Sequence, residues 1–194
     1  MEYPNFIDEV ETITLKDELS EFLGTSKDGI IEISYLDIVK VSGHSCAVVS
    51  GAYLMALKGL KELYGSETPK RGEIKVELRG TLEDNTGVAA QVLSNITGAT
   101  TDTGFMGVKG KFNRRGLLSY GNDIPATVKF TRTDTNESVL VNYMPGKIVN
   151  PKEILQTAIA ENATEEDKKS FPIRWQEMVK NIFDNADKVI EVSK

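Results

Sequence analysis

Residues 46–64, CAVVSGAYLMALKGLKELY, are the stretch that decides the fold. Apolar side chains recur in it at helical spacing, which predicts an amphipathic helix. Its first three turns are apolar nearly all round, so we expect the N-terminal half to be buried. Small residues among them permit close packing against a neighbouring helix or sheet. The stripe at helical spacing consists of Val49, Tyr53, Ala56, Leu60 and Leu63.

The segments before and after this helix predict a mixture of helices and strands. Residues 6–23 place apolar side chains at roughly helical spacing among acidic ones, which predicts an N-terminal helix. Residues 30–41 are β-rich and predict either a strand or a strand that continues into a short helix. Residues 73–80 alternate as a strand does. Residues 88–96 predict a short helix, and the Gly- and Thr-rich residues 97–110 predict a loop.

The C-terminal third of the chain predicts a hairpin and two helices. Residues 125–132 and 138–143 predict two strands, and the turn between them favours a β-hairpin. Pro151 is typical of a first helical position and predicts a helix that starts there. The last predicted helix, residues 174–189, carries apolar side chains on one face. We assign these side chains, Trp175 included, to packing.

This order of elements predicts an α+β fold with a mixed or antiparallel sheet packed against helices. The chain has 194 residues, of which 40% are hydrophobic, and this is enough for one core without disulfide bonds. We therefore predict a single domain. Its α+β core spans residues 1–150 and includes the N-terminal helix, and a C-terminal helical extension of the same domain spans residues 151–194.

The charge and the cysteine content exclude several classes of protein. A formal net charge of −6 argues against binding to nucleic acid or to an anionic membrane, because both attract a positive surface. No apolar run approaches the roughly 20 residues of a membrane-spanning helix, and the acidic N-terminus lacks the basic region of a signal peptide. A single cysteine forms no intrachain disulfide bond. We predict a cytoplasmic protein with no membrane and no nucleic-acid partner.

We expect chemistry where a turn enters the central helix. The only histidine and the only cysteine of the chain, His44 and Cys46, stand two residues apart there. Imidazole and thiolate both bind zinc and similar metals, and a helix N-terminus favours the thiolate. Gly43 permits a backbone conformation that a side chain would block. The spacing leaves a second interpretation open, in which Cys46 is a small buried hydrophobe and His44 is a hydrogen-bonded loop residue.

A glycine-rich segment, residues 104–111, is a weaker candidate for a phosphate-binding loop. The motif for such a loop needs Ser or Thr after its Gly-Lys pair, and Phe112 follows here. We therefore expect a glycine-rich loop near a binding cleft. Four basic side chains in and after this segment predict either a contact with an anionic substrate or partner, or a solvated edge. They are Lys109, Lys111, Arg114 and Arg115.

Several motifs resemble the FmdE family, which takes its name from a component of the molybdenum or tungsten formylmethanofuran dehydrogenase of methanogens. Residues 43–47, GHSCA, are similar to the Gly-His-x-Cys-Pro-Gly motif of the family, and residues 51–57 to the small-residue-rich helix that follows it. Residues 88–91 and 97–100 align without a gap with its Cys-x-x-Asp and Thr-Gly-Cys-Thr motifs. Residues 120–122 resemble its Tyr-Gly-Lys. The resemblance covers most of the chain.

This resemblance implies an α+β core in which His44 and Cys46 line a cleft at a metal. It implies zinc or another transition metal as the cofactor. Cys46 is then the thiolate ligand or nucleophile, and His44 is the second ligand or the base. Asp102, in the Gly- and Thr-rich loop, is the predicted third ligand. The chain would bind a metal or a small ligand in association with a molybdenum or tungsten formylmethanofuran dehydrogenase-like system.

The chain departs from the family pattern at five positions. Some relatives also have a C-terminal zinc ribbon, which a chain with one cysteine lacks. These departures favour a second hypothesis, a non-catalytic accessory or ligand-binding subunit whose family site is partly lost, and they leave open whether the chain is an enzyme. The departures are Ala47 for the proline, Val88 for the second cysteine, Gln91 for the aspartate, Ala99 for the third cysteine and Asn122 for the lysine.

The central helix also predicts a homodimer. Its first turns are apolar on almost every side, and we do not expect one domain of this size to cover them alone. A two-fold dimer is the commonest closed assembly. The expected partners are therefore a second copy of the chain and a small-molecule ligand.

Overall fold

Helix α4, residues Ala47–Tyr64, lies at the centre of the fold in a computed structural model, which describes residues 2–194. Most of its residues are buried, as the sequence predicts, and it packs against both the main sheet and other helices. Cys46 occupies its N-cap position, and Gly65 follows its last turn. The prediction of a buried central helix is confirmed.

The remaining elements give the α+β architecture that the sequence predicts. The helices besides α4 are α1 (Phe6–Glu9), α2 (Glu18–Phe22), α3 (Tyr35–Ser42), α5 (Thr86–Thr97), α6 (Pro151–Ile159), α7 (Glu165–Asp184) and α8 (Ala186–Val189). The strands are β1 (Ile13–Lys16), β2 (Ile30–Ile33), β3 (Ile74–Leu78), β4 (Leu118–Ser119), β5 (Val128–Arg132), β6 (Ser138–Tyr143) and β7 (Ile190–Ser193). Within residues 2–194, none of the helices is both long and apolar enough to cross a membrane.

The main sheet is mixed and has the strand order β4-β3-β5-β6-β7. β3 pairs in parallel with β4, and the other neighbours in this sheet pair antiparallel. The predicted hairpin is present as β5 and β6, in which Val128 lies opposite Val141. β3 and β5 bury every second side chain, because successive side chains of a strand point to opposite faces.

The prediction of one N-terminal helix over residues 6–23 is wrong. Residues Ile13–Lys16 form β1, which pairs antiparallel with β2, and the short helices α1 and α2 flank it. The physical reason is burial at alternate positions, since Ile13 and Leu15 are buried and Thr14 between them is exposed. A helix would not place these two residues on one face.

The second alternative for residues 30–41, a strand that continues into a short helix, is confirmed. β2 is followed directly by α3, and Ser34 between them starts the helix. Ser34 and Asp37 form a capping box, in which each side chain accepts a hydrogen bond from the backbone N–H of the other residue.

The C-terminal segment differs from its prediction at both ends of the long helix. α7 begins at Glu165, well before residue 174, because Thr164 and Asp167 form a capping box there. The helix ends at Asp184, and the short α8 follows it. The last strand, β7, is not indicated by the sequence pattern. It pairs antiparallel with β6, so the end of the chain adds a strand to the main sheet.

α4 does not provide the exposed surface from which a homodimer is predicted. Val49, Ala52 and Tyr53 in its first turns are fully buried within one chain. The neighbouring helices and the main sheet cover these positions. The homodimer stays a prediction, without this support.

Candidate ligand cleft around His44 and Cys46

The turn between α3 and α4 presents the two residues that the sequence singles out. Gly43 follows α3 with a φ of 73°, in the left-handed region that glycine adopts without strain. Cys46 is the N-cap of α4, and its Sγ accepts a hydrogen bond from the backbone N–H of Val49 at 3.5 Å. The thiol therefore lies at the N–H groups that begin a helix, where a negative charge is favoured.

Hydrogen bonds at Ser45 hold this turn in place. The hydroxyl groups of Tyr35 and Ser45 lie 2.7 Å apart, and both residues are buried. The indole N–H of Trp175 donates to the carbonyl oxygen of Ser45 at 3.0 Å. Burial raises the pKa of the Tyr35 phenol well above its ordinary value, so the phenol stays neutral. His44 and Cys46, on either side of Ser45, are thereby fixed to α3 and α7.

Tyr143 of β6 fastens the start of α4 to the main sheet. Its hydroxyl group donates to the carbonyl oxygen of Ala47 at 2.6 Å. Its ring lies against Gly51, where a Cβ atom would be 2.2 Å from Tyr143 Cε1, so only glycine permits this approach. Burial raises the pKa of the Tyr143 phenol well above its ordinary value, so the phenol stays neutral. The site therefore combines a neutral phenol with the thiol.

His44 and Cys46 line the same cleft, which has a volume of about 670 Å³. The starts of helices and the segment after β6 form it, and apolar or aromatic side chains make up much of its wall. A concave site of this size and composition is typical of small-molecule binding. The apolar and aromatic wall includes Val48, Val88, Tyr143, Val149, Leu155 and Trp175.

His44 presents one ring nitrogen to a ligand. Its Nδ1 atom lies 3.0 Å from the carbonyl oxygen of Ser42. A carbonyl oxygen only accepts a hydrogen bond, so Nδ1 carries the proton, and in the neutral imidazole Nε2 presents a lone pair. A backbone carbonyl that orients the imidazole in this way is common for histidines that bind a metal. The His44 side chain is exposed, so its Nε2 atom is accessible to bind a metal ion or to accept a proton from a ligand.

The structure does not bring the three predicted metal ligands together. Among residues 2–194, no group of three or more His, Cys, Asp or Glu side chains could hold a metal ion. Asp102 is exposed in the loop after α5 and does not line the cleft of His44 and Cys46. Nε2 of His44 and Sγ of Cys46 are suitable donors for zinc, but a closed zinc site needs four ligands. The donors present therefore fit an open site at most, and the metal stays a prediction.

One member of the predicted basic cluster is a buried structural residue. Arg114 is only 6% exposed, and its Nη2 donates to Oδ1 of Asp17 at 2.7 Å. Arg71 Nη1 donates to the other carboxylate oxygen of Asp17 at 2.9 Å. Arg114 is thus not on a solvated edge, whereas Lys109 and Lys111 are exposed. A phosphate-binding loop leads into a helix. The glycine-rich residues before Arg114 lead into the strand β4 instead.

Two of the five positions that depart from the FmdE pattern line the cleft. They are Ala47 and Val88, the latter at the position of the second family cysteine. Gln91 is exposed, and Ala99 is fully buried. The side-chain amide of Asn122 donates to the carbonyl oxygen of Leu78 at 2.9 Å, which is a structural role. At the position of the second family cysteine, the cleft therefore has an apolar side chain.

Neither a protein-family model nor a curated protein sequence matches this chain. The resemblance to the FmdE family stays a prediction, and the geometry of the cleft carries the functional argument.

Sequence reasoning misses three residues that help to form the cleft. Trp175 lines the cleft in addition to its packing role, and the signal for it in the sequence is that it is the only tryptophan of the chain. Lys152 follows Pro151 at the start of α6 and lines the cleft. A positive charge at a helix start is unfavourable with respect to the helix dipole, so the presence of a lysine there is a signal for a role outside the helix. Tyr143 ends a strand, and nothing in its local pattern points to the cleft.

Proposed function

We propose that this chain is an FmdE-like protein that binds a small molecule in the cleft at His44 and Cys46. The supporting observation is that a thiol, an imidazole with a free lone pair and an indole ring line one cleft of about 670 Å³. Cys46 would act as the nucleophile or ligand atom, and His44 as the base or second ligand. The cleft walls would hold the apolar part of the ligand.

The residues of the cleft give this proposal its chemistry. The backbone N–H of Val49 and the start of α4 stabilise a negative charge on Cys46 Sγ. Nε2 of His44 is able to accept a proton, because Nδ1 already donates to Ser42. We also propose that the protein associates with a molybdenum or tungsten formylmethanofuran dehydrogenase-like system, as the resemblance implies, while the homodimer and the cytoplasmic location stay predictions from the sequence.

A second candidate function is a non-catalytic accessory or ligand-binding subunit with a partly lost family site. The observation that favours it is Val88, which puts an apolar side chain in the cleft at the position of a family cysteine. In this form the cleft still binds a ligand, but Cys46 and His44 perform no reaction. The two candidates share the cleft and differ in its chemistry.

Alkylation of Cys46, the only cysteine, tests whether the cleft is open to small molecules. We expect iodoacetamide to modify the folded protein at one site, and Cys46→Ser to remove the modification. Val88→Trp should fill the cleft and slow the reaction about tenfold, because the indole ring occupies the approach to the thiol. The measurement is the alkylation rate by mass spectrometry at pH 7.

Val108→Trp is the matched control, since Val108 is exposed in the loop after α5 and does not line the cleft. It should leave the alkylation rate unchanged. A thiol that reacts only after denaturation would show that Cys46 is a core residue and would contradict the proposal. Thermal unfolding of the wild type and of each variant shows that the alkylation rates are compared between folded proteins.

Metal content distinguishes the metal form of the proposal from the metal-free form. If zinc is the cofactor, it supplies Lewis-acid chemistry when bound, and His44 Nε2 and Cys46 Sγ are the side-chain atoms that would hold it. Elemental analysis of protein purified without chelator should then find the metal in the wild type. His44→Ala and Cys46→Ser should each lose most of it, while Asp102→Ala should keep it because Asp102 lies outside the cleft. Metal-free wild-type protein after zinc is supplied contradicts the metal form.

A further inference from the structure

The charge of the cleft is opposite to the charge of the protein. The chain has 29 acidic and 23 basic residues. Among the residues that line the cleft within the described part of the chain, none has a carboxylate. Lys152 carries a positive charge at the cleft. An anionic group therefore meets attraction in this cleft and repulsion over most of the remaining surface.

Two helix starts border the cleft near Lys152. Asn85 and Asn150, the N-caps of α5 and α6, both line the cleft. Across residues 2–194, neither of these two side chains caps its own helix by a hydrogen bond. The backbone N–H of Thr86 at the start of α5 donates to Oδ1 of Asp84 at 2.6 Å, and Pro151 at the start of α6 has no N–H. The side-chain amide of Asn150 donates to Oε1 of Glu153 at 2.7 Å, so Lys152, and not the helix starts, is the group of the cleft lining that attracts an anion.

The apolar side chains that line the same cleft accept an apolar group. Val88, Val149, Leu155 and Trp175 line it, and Trp175 has its indole N–H bound to Ser45 and its ring in the wall. A volume of about 670 Å³ is enough for an aromatic ring system or a short alkyl chain. Burial of such a group against these side chains supplies the apolar part of the binding free energy.

We infer that the ligand of this cleft is an amphipathic anion, with an apolar or aromatic body and one carboxylate, sulfonate or phosphate group that binds at Lys152. This inference rests on the proposed function, because it names the class of molecule that the same cleft takes. The apolar body lies against Trp175 and Val88, and the anionic group pairs with the ammonium group of Lys152. Placed in this way, the ligand also lies beside Cys46.

Two fluorescent probes of nearly the same shape test the inference. 1-Anilinonaphthalene-8-sulfonate is an aromatic anion, and N-phenyl-1-naphthylamine has the same aromatic body without the sulfonate. Energy transfer from Trp175, the only tryptophan, reports binding of either probe next to the cleft wall. We expect the anionic probe to bind about tenfold more tightly than the neutral probe to the folded wild type.

Lys152→Glu is the decisive variant. It should weaken binding of the anionic probe about tenfold or more and leave the neutral probe nearly unchanged. Lys27→Glu is the matched control, because it makes the same change in net charge away from the cleft. Lys27 is exposed in the turn before β2 and does not line the cleft. Lys152 is exposed, so its replacement does not disturb the core.

The outcomes separate the inference from the proposed function. Equal affinities for the two probes, or an anionic preference that Lys152→Glu leaves intact, overturn the inference but keep a small-molecule cleft. Failure of both probes to bind the folded protein overturns the proposed function as well. A stronger affinity for the anionic probe that Lys152→Glu abolishes and Lys27→Glu preserves supports both.

Discussion

Asp17 carries a buried negative charge that two arginine side chains share. It is 3% exposed and accepts hydrogen bonds from Arg71 at 2.9 Å and Arg114 at 2.7 Å. Its Oδ1 also caps α2 by accepting from the backbone N–H groups of Leu19 and Ser20. Burial alone would raise the pKa of Asp17, but the hydrogen bond from Arg71 and the charge of Arg114 outweigh it and lower the pKa.

We predict that Asp17→Asn lowers the free energy of unfolding by about 3 kcal/mol at pH 7, because Arg114 stays buried without its charged partner. Since the folded state lowers the pKa of Asp17, its contribution is complete above the unfolded pKa of about 3.9. The contribution is lost as pH falls through the folded pKa. Urea denaturation at pH 7 and below pH 4 measures the difference between wild type and variant.

The exposed Asp123 supplies the control for this prediction. Asp123→Asn should change the free energy of unfolding by less than about 0.5 kcal/mol at both pH values. A cost of Asp17→Asn that is the same at low and neutral pH would contradict the assigned role of the carboxylate.

At the scale of elements, the packing of α4 on β6 depends on Gly51. Gly51→Ala should lower the free energy of unfolding by about 1–3 kcal/mol, because the new methyl group overlaps the ring of Tyr143. Gly87→Ala in α5 is the control, since nothing lies within 4 Å of its added Cβ. That change should be neutral or stabilising by up to about 1 kcal/mol, as alanine favours a helix. Denaturation that finds equal effects for both variants rules out the close contact.

The sequence predicts those elements whose pattern is long and local. α4 is predicted correctly because its apolar stripe is repeated over several turns of one segment. β1 and β7 are missed because each has only four residues next to helical residues. β1 lies between α1 and α2, and β7 follows α8. In such short strands the pairing partner, β2 or β6, decides the structure, and it lies elsewhere in the chain.

The site shows the same limit more strongly. His44 and Cys46 are found from the sequence because they are close together, unique and placed at a helix start. Trp175 and Lys152 reach the cleft only through the packing of α6 and α7, which spacing along the chain does not encode. The burial of Arg114 likewise depends on Asp17, which lies 97 positions before it. A charge pattern alone therefore gives the wrong environment for Arg114.

At the scale of the whole molecule, the fold brings four distant segments to one cleft. The turn before α4, the start of α5, the segment from β6 to α6 and the middle of α7 each supply wall residues. The main sheet and α4 form the rigid support, since both are largely buried. This arrangement brings a thiol, an imidazole and an apolar wall to one cleft in a chain that assembles no three-ligand metal cluster in residues 2–194.

The central claim, that Cys46 lies in a small-molecule cleft with Trp175, is tested most directly by ligand protection. The rate of Cys46 alkylation by iodoacetamide is measured in the folded wild type at increasing concentrations of 1-anilinonaphthalene-8-sulfonate. We predict that the rate falls about tenfold at saturation, with a midpoint equal to the dissociation constant from Trp175 energy transfer. An alkylation rate that stays constant while Trp175 reports full occupancy would contradict the account.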